Sequence, residues 1–185
     1  MDSDISTSDK KVLQIVFNPN LPVGNLEDIE EPVDDESSFD PEKLATVKNL
    51  ELKGIKHAEA NRLEDALECM NQAIEILPDY PASYNNRAQA RRIKGLNQEA
   101  YDDLEKAITL SKGKGRTASL AFTQRALLRK LDGNEEGSLE DFKLAAQLGN
   151  QFAKQQVVNA NPYAALCNKM LSEAMEKLSG NCTKE

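Results

Sequence analysis

The side chains in this 185-residue chain that could do covalent or acid–base chemistry are few and poorly placed for it. His57 is the only histidine, and Cys69, Cys167 and Cys182 show neither metal-ligand nor redox spacing. A thiol nucleophile needs a neighbouring base or cation to hold it as thiolate, and a general base needs a proton within reach. Cys69 has no histidine to activate it, so the pattern excludes a nucleophilic or metal centre. The stretch "SKGKGRT" is rich in glycine and lysine, but it lacks the four spacers between Gly and Gly-Lys-Ser/Thr that a phosphate loop needs. It reads as a flexible basic loop presenting Lys112, Lys114 and Arg116. The expectation is a protein that is not an enzyme and holds no cofactor and no metal.

What remains is hydrogen bonding and charge, concentrated in "YNNRAQARR" at 84–92. Asparagine competes with the backbone for hydrogen bonds and is a poor helix former. Yet "PDYPAS" before it supplies a helix start, and no breaker follows until Gly95. These polar side chains therefore belong to a helix and must face something.

Ala, Leu, Glu and Lys dominate a chain without tryptophan, which is a helical composition. Its formal net charge of −8 is unevenly spread: residues 1–42 hold 12 acids and 2 bases, and residues 85–130 hold 11 bases and 4 acids. An acidic arm thus precedes a body with a basic middle. Within the arm, "SDKKVLQIVF" offers Ser8 as a cap and Val12, Leu13, Val16 and Phe17 at helical spacing, stopped by Asn18-Pro19. So short a helix must dock or order on binding. Residues 20–40 are Pro-broken and acid-rich, which reads as a partly disordered linker. The acidic start has no hydrophobic signal core, and no apolar run approaches membrane-spanning length. An odd cysteine count suits a reducing compartment, so the expected location is cytoplasmic. The ending "CTKE" is no prenylation signal, and Asn181-Cys182-Thr183 matters only in a secreted chain.

From Pro41 the helical periodicity is unbroken and repeats itself every 34 residues: 47–80, 81–114 and 119–152. Position 8 holds Gly54, Ala88 and Ala126; position 20 holds Ala66, Ala100 and Ser138; position 24 holds Met70, Leu104 and Phe142; position 27 holds Ala73, Ala107 and Ala145. Position 4 is Leu50, Tyr84 or Phe122. A polar break halves each unit ("AEANRLE", "IKGLNQE", "LDGNEEG"), so each is a helix, a turn and a second helix. Four extra residues, 115–118, precede the third unit. A short helix over "QFAKQQVVNA" completes the segment 43–158, and "YAALCNKMLSEAMEKL" within 159–180 is expected to cap the exposed apolar end of the array, leaving 181–185 as a tail.

The alternation of small and large residues resembles the tetratricopeptide repeat, with Pro78 as its terminal proline in the first unit only. The order "LQIVFNPNLPVG", acidic linker, "SYNNRAQARR", "FTQRALLRKLDG" and "NPYAALCNKML" is similar to the tetratricopeptide repeat protein 36 family, also described as heat-shock protein 70 binding. The resemblance implies an all-α superhelix of three repeats. It also implies a protein-binding scaffold or co-chaperone-type adaptor for heat-shock protein 70 or a client protein. In such repeats positions 2, 5, 9, 12 and 13 of each first helix line a concave groove. Asn85, Gln89 and Arg92, with Asn86 beside them, and Thr123, Leu127 and Lys130 are then the expected partner-binding residues. Asparagines there can hold an extended peptide by its backbone amides. The alternative for Asn85 or Asn86 is a bridge between adjacent helices.

Chaperone-binding members of the repeat class grip an acidic C-terminal peptide with Lys and Asn at positions 5 and 9 of unit one, Asn at position 6 of unit two, and Lys and Arg at positions 2 and 6 of unit three. This sequence has Glu51, Ile55, Asn86, Leu120 and Gln124 there, so only Asn86 matches. Position 11, where such repeats pack an aromatic, holds His57, which reads as a core or boundary residue. Arg87 and Arg125 share position 7 and are expected to pair with Asp102, Asp103, Glu140 or Asp141. The acidic arm, tethered beside the basic body, is expected to cover the groove in part and to screen acidic ligands. A nucleic-acid-associated helical repeat is the other class that the basic middle suggests, but Tyr84, Tyr101 and Phe122 fall at packing positions or on helix backs and are not free for stacking.

Overall fold

A computed structural model describes residues 33–160 together with Tyr163 and Met170. Its described elements are α1 (Pro41–Glu59), α2 (Leu63–Ile76), α3 (Pro81–Lys94), α4 (Asn97–Leu110), α5 (Gly115–Leu131), α6 (Glu135–Gln147) and α7 (Gln151–Asn159). No strand occurs among the described residues, and no helix there is long and apolar enough to cross a membrane. Tyr163 and Met170 are helical; the rest of the expected capping segment, like the expected helix over residues 8–17, lies outside the described residues.

Local sequence accounts for where the helices begin and turn. Asp40 caps α1 by accepting from the Glu42 and Lys43 amides, each at 3.0 Å, and Pro41 fills the first helical position, where no amide is needed. Position 15 of each unit closes the turn between its two helices in the left-handed region: Asn61, Gly95 and Gly133 have φ of 58°, 85° and 77°. Glycine pays no Cβ penalty there and asparagine pays less than other side chains.

Packing follows the repeat. Ala66, Ala73, Ala88, Ala100, Leu104, Ala107, Ala126 and Ala145 are fully enclosed, and Met70, Phe142 and Ser138 nearly so. Gly54 is small because it must be: a Cβ there would stand 2.7 Å from Met70 Cε and 3.3 Å from Cys69 Cβ. The polar couplings repeat as well. Asp103 is held by Arg87 (Nε and Nη2 to its two oxygens, 2.9 and 2.6 Å) and by Arg91 at 2.7 Å. One unit on, Asp141 is held by Arg125 (2.9 and 2.7 Å) and by Arg129 at 3.0 Å. Burial opposes the Arg125 charge, but its hydrogen bonds to Asp141 and the pull of Glu105 more than offset this and raise its pKa. Arg87 and Arg125 also lie over the rings of Tyr84 and Phe122 at 5.5 and 5.4 Å. The expected pairs thus form with Asp103 and Asp141. Asp102 instead accepts from Gln98, and Glu140 is exposed.

Two expectations need correction. Of the expected flexible basic loop "SKGKGRT", residues 115–117 instead begin α5, so the four extra residues 115–118 form its first turn and α5 has 17 residues where α3 has 14. Residues 34–39 do not behave as a linker, because the side chains of Asp34, Glu36 and Phe39 are fixed to the array.

Candidate partner-binding groove

The first helices of successive units pack on one another, α1 on α3 and α3 on α5, which the second helices do not do to a comparable extent. That places α1, α3 and α5 on the inner side of the curve. Their exposed side chains form one face: Ile55 on α1, Gln89 and Ile93 on α3, and Leu120, Lys130 and Leu131 on α5. Ile93 is 51% and Leu131 71% exposed, well above what apolar side chains on a self-contained face need. Leu127 and Arg92 are partly buried beside them.

The asparagines divide in their roles. Asn85 is only 4% exposed, and its Oδ1 accepts from Gln124 Nε2 on α5 at 3.0 Å. It ties unit two to unit three, so the reading of Asn85 as a groove contact is corrected by its burial. Asn86 is partly exposed and lies against Glu51. Burial pushes the Glu51 carboxyl above the usual glutamate range, while the Ser83 hydroxyl, donating to it at 2.7 Å, and the Asn86 side chain pull it back. Thr123 spends its hydroxyl on the Ser119 carbonyl at 2.8 Å and offers little to a ligand. His57 is partly buried, with Nδ1 3.6 Å from Asp65 Oδ2, a boundary residue as expected.

At the rim where α5 begins, the acidic segment binds the array itself. Asp34 accepts from the Thr117 amide at 3.0 Å and from its hydroxyl at 2.6 Å, neutralising the α5 N-terminus in place of a local cap. Gly115 is required here twice over, by its φ of 79° and because a Cβ would collide with Asp34 Oδ1. Glu36, two residues on, is bound to the first unit, pairing with Lys48 of α1 and accepting from the Tyr80 hydroxyl at 2.7 Å. The Lys48 hydrogen bond holds the Glu36 carboxyl below the usual range. Phe39 packs edge-on against Tyr80 with ring centroids 5.3 Å apart. Residues 34–39 are therefore a strap from unit one to unit three. Lys112, Lys114 and Arg116 are exposed beside it, and Lys112 and Lys114 share a cleft of about 340 Å³ with Val33, Asp34 and Phe39. The sequence signal for the strap was the run of acids alone, which does not say where they land.

No family model matches the chain. Curated relatives do. Tetratricopeptide repeat protein 36 of Danio rerio is 51% identical over 176 residues, 94% of this chain and 94% of the relative. The chain belongs to the tetratricopeptide repeat protein 36 family. The mouse member, from Mus musculus, is 47% identical over 176 residues (92% of this chain, 94% of the relative), and a homolog from Nematostella vectensis is 48% identical over 178 residues (95% and 98%). Among solved structures, the Sgt2 TPR domain from Aspergillus fumigatus matches with a TM-score of 0.55 at 18% identity, over 79% of this chain and 87% of that one. The second TPR domain of human RPAP3, solved with the HSP70 peptide SGPTIEEVD, matches with a TM-score of 0.53 at 24% identity, over 64% and 94%. The latter two likenesses are of fold: this member of the family is an all-α tetratricopeptide superhelix.

Proposed function

We propose that this chain is a non-enzymatic adaptor that binds a protein partner on the concave face of its repeat array, associating with heat-shock protein 70 or a client protein without the usual carboxylate clamp. The observation that carries this reading is the composition of the face itself: Ile55, Ile93 and Leu131 stand exposed on the same side as Gln89, a side chain able to bond a peptide backbone. Solved TPR domains of RPAP3 bind HSP90 and HSP70 peptides, which supports protein binding as the use of this fold. The clamp positions do not repeat that chemistry. Glu51 is a buried acid, Ile55 and Leu120 are apolar, and Gln124 is engaged with Asn85. A charge-assisted grip on a terminal carboxylate needs cations at those points.

The ion pairs weigh against the nucleic-acid alternative. Four of the arginines that make the middle of the chain basic, Arg87, Arg91, Arg125 and Arg129, are committed to Asp103 and Asp141. A phosphate backbone would be left with Arg92, Lys106, Lys112, Lys114, Arg116 and Lys130, since Lys94 pairs with Glu64.

The test is capture of partners by the full chain, with purified heat-shock protein 70 as one arm. Gln89→Ala with Arg92→Ala should lose the captured protein, and Lys106→Glu on the exposed side of α4 should keep it. Chaperone binding should survive removal of the chaperone's acidic C-terminal tail. Capture unaffected by the concave-face change would rule the groove out.

A further inference from the structure

We infer that in the unliganded protein the concave face is occupied by the chain's own residues 12–17, with Val12, Leu13, Val16 and Phe17 laid on Ile55, Ile93, Leu127 and Leu131. This rests on reading the concave face as the binding surface and adds what holds that surface before a partner arrives.

Three observations converge on that occupant. The face leaves Ile55, Ile93 and Leu131 exposed among Gln89, Arg92 and Lys130. The chain outside the described residues is delivered to it: Asp34 is pinned at the Thr117 amide, and Val33 before it is 87% exposed at the same rim. Reach is ample. From Thr117 to Leu131 along α5 is about 21 Å at 1.5 Å per residue. The 17 residues from Phe17 to Asp34 can span roughly 55 Å at about 3.3 Å each, so slack remains for a turn.

Charge and composition select the segment. Residues 12–17, "VLQIVF", contain no charge and four apolar side chains at helical spacing, too short a run to hold a helix in water without a surface. Between them and the strap lie Glu27, Asp28, Glu30 and Glu31, whose charge is complementary to the exposed Lys112, Lys114 and Arg116 beside the strap. Attraction there directs the segment into the groove without adding a specific contact. Tethering by so few residues gives an effective concentration on the order of millimolar, enough for a weak apolar contact to keep the face covered. A partner then binds by displacing residues 12–17, and its apparent affinity is lowered by the fraction of time they are docked.

The experiment needs no partner, so its result is independent of whether the adaptor reading holds. Phe17 is replaced in the full-length chain by the photo-crosslinking residue benzoylphenylalanine, the monomer is irradiated, and adducts are mapped by mass spectrometry. Adducts at Ile55, Ile93, Leu127 or Leu131 are expected, with a yield that falls at least tenfold on Ile93→Asp while the melting temperature stays within a few degrees. An equal mixture of heavy- and light-isotope chains should give adducts within one chain. Adducts confined to α6 and α7, a yield indifferent to Ile93→Asp, or mixed-isotope adducts showing a second copy as the occupant would each overturn the inference.

Discussion

The Asp34 carboxylate receives both the amide and the hydroxyl of Thr117, at 3.0 and 2.6 Å, across 83 residues of sequence. It supplies the N-terminal cap that α5 lacks locally, since Lys114 at the capping position makes no side-chain bond to the helix. Asp34→Ala should therefore cost about 0.5–2 kcal/mol, the usual range for a lost cap. Its distinguishing sign is faster hydrogen exchange in the first turn of α5, with Asp34→Asn intermediate. Unchanged exchange at Thr117 and its neighbours would show that the strap does not hold this helix end.

Much of the fold was legible because it is periodic. A small residue at position 8 and a large one at position 24 are demanded wherever two helices cross closely, so Gly54 against Met70 and Ala88 against Leu104 can be found by spacing alone. The Arg–Asp couplings were legible for the same reason, repeating at fixed positions. The choice between the two readings of Asn85, and the landing points of the strap, were not. Whether an asparagine at a groove position points out or across depends on the neighbouring helix offering Gln124 at the right height, which no local pattern encodes. The strap depends on contacts between residues 83 apart, and acids that land on a helix N-terminus look in sequence like any acidic linker.

The couplings predict an asymmetry between units. Asp141, whose side chain is 1% exposed, compensates Arg125 and Arg129 together. Asp141→Ala leaves Arg125 with the half-exposed Glu105 alone and Arg129 with neutral acceptors, a loss of about 3 kcal/mol for breaking a buried pair from one side. In unit one the same three places hold Lys53, His57 and Cys69. Cys69→Ala there should cost only about 1 kcal/mol, the scale of a small packing loss. Thermal denaturation of both variants checks this, and equal losses would count against assigning the stability to the buried carboxylate.

Burial raises the Glu51 carboxyl above its ordinary value of 4.5, so the folded protein binds more protons than the unfolded chain between that value and the raised one. Glu51 therefore subtracts stability as pH rises through this window and subtracts nothing below 4.5. Glu51→Gln keeps an acceptor for the Ser83 hydroxyl and removes the buried charge. It should raise the melting temperature at pH 7, and the gain should vanish at acid pH. Glu36 has the opposite sign: its lowered carboxyl contributes stability above the usual range, lost as pH falls through the folded value, so the strap should loosen in acid while Glu51 relaxes. A gain from Glu51→Gln that persists unchanged at low pH would mean it arises from packing and not from charge.

A peptide ending in the sequence SGPTIEEVD, as bound by the second TPR domain of RPAP3, presents carboxylates that need cations at the clamp positions. Here Glu51 opposes them, Ile55 and Leu120 desolvate without pairing, and Asn86 is turned to Glu51. Calorimetric titration of that peptide into the full chain should show binding weaker than about 100 μM, or roughly −5.5 kcal/mol. Restoring the cations with Glu51→Lys and Leu120→Lys, and the amide with Ile55→Asn, should tighten it at least tenfold while leaving Gln124 to hold Asn85. The gain should shrink in high salt, as charge pairing at an open groove requires. Micromolar binding by the unaltered chain, abolished by Asn86→Ala, would show instead that one amide suffices and that Glu51 yields its partner to the ligand.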